Sequence, residues 1–344
     1  MRAVTFQAPG VVEVHDVPDP EITDRRDAIV RIEASGICGS DLHIYHGRVQ
    51  IEPGFTIGHE YVGTVLAVGE GVNRFAAGER VLGCFQCACG ECFFCRRGLF
   101  HRCEHSRTFG HGATLGSLQG TQAEMALIPN ADLTLRRVPD GMSADVALFA
   151  GDVMGTGFHA ANASGVQGGD TVCVLGLGPV GLCAVQAARA AGAAHVVAVD
   201  SVEQRLDLAR SFGATAVHLT EQDVRAEVRG LTEGRGADVT IDAVGDGRVL
   251  ETALRVTRNC GAVQCVGVYA ERTDVHMGLM WLKALTVRGG HANVLAHVDR
   301  VLAMMSAGLL DPAPLVTHHM TLNEAPLAYA IYDAREALKI VLTP

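Results

Sequence analysis

Residues 171–200 read TVCVLGLGPVGLCAVQAARAAGAAHVVAVD and predict a strand, a helix and a second strand in succession. The stretch opens with small and β-branched apolar residues, which are typical of a buried parallel strand. The turn GLGPVG at residues 176–181 matches G-x-G-x-x-G, an Ala-rich helical segment follows it, and the second apolar strand ends on Asp200. This order indicates a βαβ unit that binds a dinucleotide.

The three glycines of the turn have different physical tasks. Gly176 permits the tight turn out of the strand, Gly178 allows the backbone to approach a pyrophosphate, and Gly181 allows close packing of helix on strand. The pyrophosphate would then lie at the exposed N–H groups and positive dipole of the helix N-terminus, beside Pro179 and Val180. The turn is therefore the predicted binding site for the cofactor phosphates.

The residue that ends the second strand indicates which cofactor binds. Asp200 lies 19 residues after Gly181, where a carboxylate can accept hydrogen bonds from a ribose hydroxyl. A 2′-phosphate would meet like charge there, and no Arg follows directly, so the sequence favours NAD over NADP. Arg205 either approaches the adenosine ribose or belongs to a solvated helix face.

Composition excludes several classes of function. A chain of 344 residues with 48% hydrophobic and 19% charged residues predicts two stable domains rather than disorder. The formal net charge of -10 argues against nucleic-acid binding. Because there is no apolar signal segment near Met1 and no uninterrupted apolar run of about 18 residues, we expect a cytoplasmic protein with no membrane partner.

The eleven cysteines are distributed unevenly. Six of them lie within residues 84–103, in the pattern C-x2-C-x-C-x2-C-x2-C-x7-C. Without a secretory signal, this clustering favours metal binding in a reducing compartment over disulfides. Taken alone, the cluster also fits a zinc ribbon that binds protein or nucleic acid.

A second group of metal-binding residue types lies in short motifs outside the cluster. GICGSDLH supplies Cys38, and GHE supplies His59 and Glu60. A thiol, an imidazole and a carboxylate can form a catalytic zinc site, which keeps three protein ligands and one open position. Asp152, in the segment FAGDVMGTGFHA, is either a further ligand or a helix N-cap.

Beyond the glycine turn, strands and helices continue to alternate. Residues 1–35 predict antiparallel strands, whereas residues 201–288 predict further βα units that bring the parallel sheet to about six strands. That number is typical of a Rossmann domain. From residue 295 the pattern predicts a helix, a Pro-rich turn, another helix and a final strand.

In this order, the motifs resemble those of the zinc-dependent medium-chain alcohol dehydrogenases over essentially the whole chain. The resemblance implies an α/β fold in which a doubly wound, parallel Rossmann sheet, residues 150–293, binds NAD. A mostly β, GroES-like catalytic domain would comprise residues 1–149 and 294–344 and carry both zinc sites. The segment DVMGTGFHA is most similar to the bacterial secondary-alcohol branch, in which an Asp takes the third zinc position.

The resemblance also implies two zinc ions per chain, one catalytic and one structural. Cys38, His59 and Asp152 would hold the catalytic zinc, with Glu60 as an adjacent carboxylate that can swing onto the metal. Asp41 would orient His59 by accepting its second N–H group.

The structural zinc of the family is held by a C-x2-C-x2-C-x7-C pattern. The residues that match it are Cys89, Cys92, Cys95 and Cys103. Four thiolates around zinc would stabilise a segment that has little apolar core of its own. Cys84 and Cys87 are surplus to the pattern, which leaves open which four thiols bind.

Further positions match residues that contact the cofactor in the family. The backbone of Val266, Gly267 and Val268 would meet the nicotinamide amide, and Thr156 would lie beside the nicotinamide ring. Lys339 matches a basic residue near the cofactor, although a surface lysine is an equal alternative.

The resemblance also implies a proton relay and a substrate pocket. The hydroxyl of Ser40 would take the alcohol proton and pass it through the cofactor ribose to the imidazole of His43. Nearby residues either line the pocket or face solvent in turns; they are Tyr45, His46, Phe109, His111 and Leu115.

The implied function is reversible hydride transfer between a primary or secondary alcohol and NAD, with zinc stabilising the alkoxide. A polyol or amino-alcohol dehydrogenase of the same superfamily, acting on sorbitol- or threonine-type substrates, is the alternative. A zinc-ribbon binding protein is a more remote one. The expected partner is a small alcohol or carbonyl substrate, and the resemblance implies a homotetramer, with a homodimer as second choice.

Overall fold

The structure is a computed structural model that describes all 344 residues. The chain divides into two compact units. The first comprises Met1–Asp152, Asn293–Ser306 and Pro312–Pro344, and the second comprises Val153–Ala292 and Ala307–Asp311. The structure therefore places Asp152 in the first unit, whereas the division predicted at residue 150 assigns it to the second.

Strands predominate in the first unit up to residue 152. They are β1 (Arg2–Ala8), β2 (Val11–Asp16), β3 (Ala28–Gly36), β4 (Glu60–Val68), β5 (Arg80–Gly83), β6 (Gln86–Cys87), β7 (Arg107–Thr108), β8 (Met125–Ile128) and β9 (Leu135–Arg137). The helices there are short: α1 (Gly39–Tyr45), α2 (Ala131–Thr134) and α3 (Ala144–Ala147). β1 pairs with β2 and β6 with β7, each as an antiparallel two-stranded sheet.

The second unit alternates helices and strands. Its helices are α4 (Val153–Ser164), α5 (Pro179–Ala190), α6 (Glu203–Ser211), α7 (Val224–Leu231), α8 (Gly247–Val256) and α9 (Met277–Lys283). Its strands are β10 (Thr171–Leu175), β11 (His195–Asp200), β12 (Thr215–His218), β13 (Ala237–Asp242), β14 (Thr257–Cys265) and β15 (Thr286–Gly289).

All six of these strands are parallel, in the order β12-β11-β10-β13-β14-β15. If β10 to β15 are numbered 1 to 6, the order of the strands is 3-2-1-4-5-6, which is that of a Rossmann sheet. The predicted fold class is thus confirmed. Every residue of β10 is buried, as the unbroken apolar run at its position predicts for a central parallel strand.

The end of the chain completes the sheet of the first unit. It forms α10 (Val294–Ser306), β16 (Val316–Thr321), α11 (Ala325–Asp333) and β17 (Lys339–Thr343). β17 pairs with β16 on one side and with β3 on the other. The resulting seven-stranded sheet has the order β16-β17-β3-β4-β5-β9, with β8 also paired to β3.

After residue 200, one helix and one strand were not predicted from the sequence: α9 and β16. α9 is a short apolar helix in which Trp281 is 83% exposed, so it lacks the buried stripe that makes a helix recognisable. β16 is a peripheral strand whose pairing partner lies further along the chain. No helix in the structure is both long and apolar enough to cross a bilayer.

Candidate active site and metal centres

Strand pairing brings the two N-terminal motifs together. Cys38 follows the end of β3 and precedes α1, while Glu60 begins β4 and pairs directly with Gly36 of β3. Because β3 and β4 are antiparallel, the end of one lies beside the start of the other. Cys38 and His59 therefore meet at one end of the sheet although 20 intervening residues separate them.

Asp152 reaches the same place from a different segment. It follows a 3-10 helix that ends at Gly151, and it precedes α4. A side chain at Gly151 would collide with the carbonyl oxygen of Gly83, at 2.0 Å. Glycine thus permits a close approach to the end of β5, and the carboxylate of Asp152 extends from that point.

The four donor side chains form one buried cluster. The ligand atoms of Cys38, His59, Glu60 and Asp152 all lie within 4.8 Å of one another. One carboxylate oxygen of Asp152 is 3.2 Å from Nε2 of His59 and 3.4 Å from Sγ of Cys38. A thiol, an imidazole and a carboxylate converging in this way fit the donor set of a catalytic zinc site.

Charged neighbours shift the pKa values of His59 and Asp152 in this cluster. Burial alone would lower the pKa of His59, but the carboxylates of Asp41 and Asp152 outweigh it and raise that pKa well above its ordinary value. Burial alone would raise the pKa of Asp152, but the hydrogen bond and charge of His59 outweigh it and lower that pKa. The carboxylate is therefore kept ionised, which is the form that binds a metal.

Asp41 supports both N-terminal donors. It is fully buried, with one oxygen 3.2 Å from Nδ1 of His59. Its other oxygen accepts the backbone N–H of Cys38 at 2.9 Å and the side-chain amide of Gln122 at 3.3 Å. Asp41 thus faces the ring nitrogen opposite the one near Asp152, as expected of a carboxylate that orients a ligating imidazole.

Gln122 is a supporting residue that the sequence did not reveal. Its amide donates to the carbonyl of Gly36 and to Asp41, and its carbonyl oxygen accepts from the hydroxyl of Tyr329 at 2.9 Å. No motif surrounds it, so only the tertiary contacts identify it.

Lys339 contacts Glu60 in the structure, and its contact with the cofactor stays a prediction. The ammonium is fully buried and donates to both carboxylate oxygens of Glu60, at 2.6 and 2.5 Å, and to the carbonyl of Ile37 at 3.1 Å. Burial alone would lower the pKa of Lys339, but the charge of Glu60 outweighs it and raises that pKa. The surface-lysine alternative is thus excluded, because this ammonium is fully buried.

The two predicted relay residues lie on one face of α1. Ser40 and His43 are three positions apart, which places them on adjacent turns. The hydroxyl of Ser40 is 3.1 Å from Nε2 of His59. His43 is half-buried, and this burial, together with the nearby Arg48, lowers its pKa. His43 is thus kept neutral and able to accept a proton.

The structure places the predicted pocket residues in different surroundings. His111 is brought to the metal-binding cluster: its ring centre is 5.2 Å from that of His59, and its Nδ1 is 2.8 Å from the carbonyl of Phe109. Phe109 itself is fully buried against Tyr61. Leu115 is half-buried at the end of a short 3-10 helix, Ala113–Leu115.

Two other pocket candidates contact the C-terminal helix instead. Tyr45 packs on Tyr329 of α11 with ring centres 5.5 Å apart, and His46 pairs with Asp333 at 2.8 Å. Their contacts are with α11 rather than with the metal-binding cluster.

The four cysteines of the structural pattern form a second cluster. They are Cys89, Cys92, Cys95 and Cys103. Cys89 Sγ lies 3.9 Å from Cys95 Sγ, and Cys92 Sγ lies 3.9 Å from Cys103 Sγ. Sulfurs in a tetrahedral zinc site with Zn–S bonds of about 2.3 Å lie roughly 3.8 Å apart, so this spacing fits zinc. The backbone N–H of Cys95 lowers the pKa of Cys92 to about 6.

The surplus cysteines are core residues. Cys84 is 1% exposed and Cys87 is 3% exposed, and burial raises the pKa of both thiols to about 12. Neither thiol belongs to the group of four sulfurs that lie within 4.8 Å of one another. The structure therefore separates Cys84 and Cys87 from the four-cysteine cluster by position.

Cys95→Ala is expected to remove the structural metal and to lower stability. We expect zinc content to fall from about two ions to about one per chain and Tm to fall by about 10 °C or more, because structural zinc contributes folding free energy directly. Elemental analysis and calorimetry measure both. Cys84→Ala is the matched control and should keep both ions; unchanged zinc in Cys95→Ala would contradict the assignment.

The glycine turn of the second unit has the geometry that its motif predicts. Gly176 has φ +87°, a left-handed conformation that favours glycine. A Cβ on Gly181 would lie 1.9 Å from the carbonyl oxygen of Gly176. At Gly178, by contrast, a Cβ would meet nothing within 4 Å, so the backbone beside the start of α5 is open to a ligand.

Asp200 accepts backbone hydrogen bonds at the glycine turn, while its contact with a ribose hydroxyl stays a prediction. One carboxylate oxygen accepts the N–H of Leu177 in the glycine turn at 2.7 Å, and the other accepts those of Ser201 and Val202. Arg205 lies 3.6 Å from the same carboxylate. Asp200 thus ties the end of β11 to the glycine turn, and Arg205 faces it rather than standing on a solvated helix face.

Asp242, which the sequence did not single out, positions the predicted nicotinamide segment. Its carboxylate accepts the N–H groups of Val244 and Gly245, and its carbonyl accepts those of Val266 and Gly267 at 2.9 and 3.0 Å. The hydroxyl of Tyr269 also donates to it. These bonds fix the loop after β14. Val268 in that loop is 52% exposed, and Thr156 is half-buried in α4.

Comparisons with known proteins identify the family. Two family models match the chain: "Alcohol dehydrogenase GroES-like domain" over residues 24–140 and "Zinc-binding dehydrogenase" over residues 179–307. The uncharacterized zinc-type alcohol dehydrogenase-like protein AdhB of Bacillus subtilis (strain 168) is 35% identical, covering 100% of both chains. This chain belongs to the zinc-type medium-chain alcohol dehydrogenases. The family predicted from the motifs is confirmed.

Other members show how widely this dehydrogenase family varies. The L-threonine 3-dehydrogenase of Anaeromyxobacter sp. (strain Fw109-5) is 35% identical over 98% of this chain and 96% of its own. The solved structure of alcohol dehydrogenase TADH from Thermus sp. ATN1 is 40% identical, covers 100% of this chain and 99% of its own, and superimposes with a TM-score of 0.97. The shared fold supports an oxidoreductase, while the substrate differs among relatives.

Proposed function

We propose that this dehydrogenase catalyses reversible, NAD-linked hydride transfer between a primary or secondary alcohol and the corresponding carbonyl compound. The observation that carries the proposal is the buried convergence of Cys38, His59 and Asp152. An Asp in the third position supports membership of the secondary-alcohol branch. The complete dinucleotide-binding motif in the same chain supports a redox reaction rather than hydrolysis.

The first unit would hold the catalytic metal. When bound to these side chains, zinc supplies a Lewis acid that lowers the pKa of a coordinated hydroxyl. Asp41 keeps His59 oriented, and Lys339 keeps Glu60 in an ion pair beside the cluster. His59 and Asp152 are buried and Cys38 is half-buried, which limits the access of bulk water to the site.

Ser40 and His43 would remove the alcohol proton. The hydroxyl of Ser40 lies at the edge of the donor cluster, 3.1 Å from His59, where it can both donate and accept a hydrogen bond. His43 is the neutral base further along α1, and a cofactor ribose hydroxyl would link the two.

The second unit would bind NAD through a set of backbone and side-chain groups. They are Thr156, Gly176, Gly178, Pro179, Val180, Gly181, Asp200, Arg205, Val266, Gly267 and Val268. Asp200 favours NAD because a 2′-phosphate would add negative charge beside its carboxylate. Its partner Arg205 is already paired with Asp200, at 3.6 Å, so it offers less compensation to a phosphate.

A substrate panel tests this function. We expect a simple secondary alcohol with NAD to give the highest kcat/KM, and NADP to be at least about ten-fold worse, a difference of roughly 1.4 kcal/mol in transition-state binding. Absorbance of the reduced cofactor measures every reaction. The panel also contains a primary alcohol, a sugar alcohol and L-threonine; no oxidation of any of them by protein with full zinc content would overturn the proposal.

An amino-alcohol dehydrogenase is the second candidate, because one relative that aligns over 98% of this chain is an L-threonine 3-dehydrogenase. Faster turnover of L-threonine than of simple alcohols would select it. The zinc sites and relay would then keep their roles, and only the substrate pocket would differ.

We also propose that the protein assembles into a homotetramer, with a homodimer as second choice. The exposed side of the second unit supports self-association. There β15 is an edge strand with unpaired backbone groups, and α9 exposes Met277, Trp281 and Leu282. Exposed strand edges and apolar patches are typical of interfaces. Sedimentation velocity of the purified protein distinguishes these states from a monomer.

A further inference from the structure

A small cavity with a strongly cationic lining lies at the amino-terminal edge of the Rossmann sheet. It has a volume of about 230 Å³. Gly236, which precedes β13, and Thr257, which begins β14, form part of its wall. The glycine turn follows the carboxyl end of β10, so this cavity is at the opposite edge of the same parallel sheet.

Five cationic side chains line the cavity, and they are Arg225, Arg229, Arg235, Arg255 and Lys283. Two of the arginines have acidic partners: Arg235 pairs with Glu233 at 3.0 Å and Arg255 with Glu251 at 2.5 Å. The guanidinium groups of Arg225 and Arg229 have no hydrogen bond or ion pair. Positive charge therefore exceeds negative charge around the cavity.

Arg225 and Arg229 are four positions apart on α7, so their side chains share one helix face. Like charges at this spacing repel and destabilise a helix slightly. Both arginines are exposed, which leaves their donors free on the rim of the cavity. The planar guanidinium group presents paired N–H donors that match phosphate oxygens.

Lys283 makes the inner wall compatible with an anion. Its ammonium donates to the main-chain carbonyls of Leu254, Arg255 and Thr257, at and beyond the end of α8. A helix C-terminus carries partial negative charge, and Lys283 neutralises it. Burial lowers the pKa of Lys283, and the charges of Arg225, Arg229 and Arg255 lower it further, so these cations lie close enough to act on one another.

We propose that this cavity binds a small polyanion with adjacent phosphate groups, of the class of inorganic pyrophosphate. Such an anion would accept hydrogen bonds from Arg225 and Arg229 and would remove the repulsion among the five cations. The volume is below the roughly 300–1,000 Å³ of pockets for drug-sized ligands, so the cavity suits a phosphate cluster rather than a whole dinucleotide. The proposal does not depend on the dehydrogenase reaction.

Calorimetric titration of the full-length protein with inorganic pyrophosphate, at about 0.15 M salt to limit diffuse attraction, tests the proposal. We expect one anion per chain and a Kd that rises at least about ten-fold in R225Q/R229Q, since each charge-assisted bond is worth about one decade or more. R210Q/R248Q is the charge-matched control, because Arg210 and Arg248 have carboxylate partners and do not line the cavity. It should bind like wild type.

The same titration with saturating NAD separates the cavity from the glycine turn. Pyrophosphate bound in the cavity is unaffected by NAD, whereas pyrophosphate bound at the turn is displaced. No binding to wild type, equal weakening in both double variants, or displacement by NAD would each overturn the proposal. Tm of each variant verifies that it is folded.

Discussion

Cys38→Ala lowers the rate of alcohol oxidation by at least about 1,000-fold and lowers zinc content from about two ions to about one per chain. This is the expected result if Cys38 is one of three catalytic zinc ligands. A 1,000-fold loss corresponds to roughly 4 kcal/mol of transition-state stabilisation. Lewis-acid catalysis by a metal contributes several kcal/mol, so the two magnitudes agree. Because the four-cysteine cluster is separate, the second ion and the fold should be retained.

Kinetics on the alcohol with NAD and elemental analysis measure the two effects. Cys260→Ser is the matched control: it also removes a thiol, but Cys260 is exposed in the second unit and belongs to neither cluster. This variant should keep its activity and both ions. A Cys38→Ala protein with two zinc ions and normal turnover would remove Cys38 from the site.

Ser40→Ala is expected to lower kcat by about 100-fold while zinc content and NAD affinity stay unchanged. The hydroxyl is within hydrogen-bond distance of the donor cluster, and general acid–base groups contribute about 100- to 10,000-fold. Ser40→Thr keeps a hydroxyl at the same position and should restore most of the rate. Equal turnover in the Ala variant would exclude Ser40 from the reaction.

The pH profile distinguishes a relay from a merely structural role. In wild type, oxidation should decline as pH falls through the pKa of His43, because a protonated imidazole cannot accept the alcohol proton. Burial and Arg48 lower that pKa. The oxidation rate should therefore fall at a pH below about 6.5, the ordinary pKa of histidine. With the relay broken in Ser40→Ala, this dependence should disappear; an unchanged profile would count against the relay.

Local patterns made part of this structure predictable. The roles of Gly176 and Gly181 depend on neighbours a few residues away, so the motif specifies their geometry. The six parallel strands follow from βα alternation, and the spacing of Cys89 to Cys103 matches a cluster that the structure does form. In the glycine turn and the cysteine cluster the residues that make the contacts are close in sequence, and in the parallel sheet each βα unit repeats a local pattern.

Long-range contacts were not predictable in the same way. Lys339 and Glu60 are 279 residues apart, and only the pairing of β17 with β3 brings them together. Asp242 was missed because an acid at the end of a strand has many possible partners. For Asp152, the sequence left a metal ligand and a helix N-cap equally open; the 3.2 and 3.4 Å contacts to His59 and Cys38 favour the ligand.

The central claim is that one zinc ion is held by Cys38, His59 and Asp152. Anomalous diffraction at the zinc absorption edge, from crystals of the purified protein, tests it most directly. We predict one peak about 2.0–2.3 Å from Sγ of Cys38, a ring nitrogen of His59 and a carboxylate oxygen of Asp152, and a second peak among the four cysteines. Crystals of zinc-saturated protein that show a peak only at the four cysteines would contradict the claim.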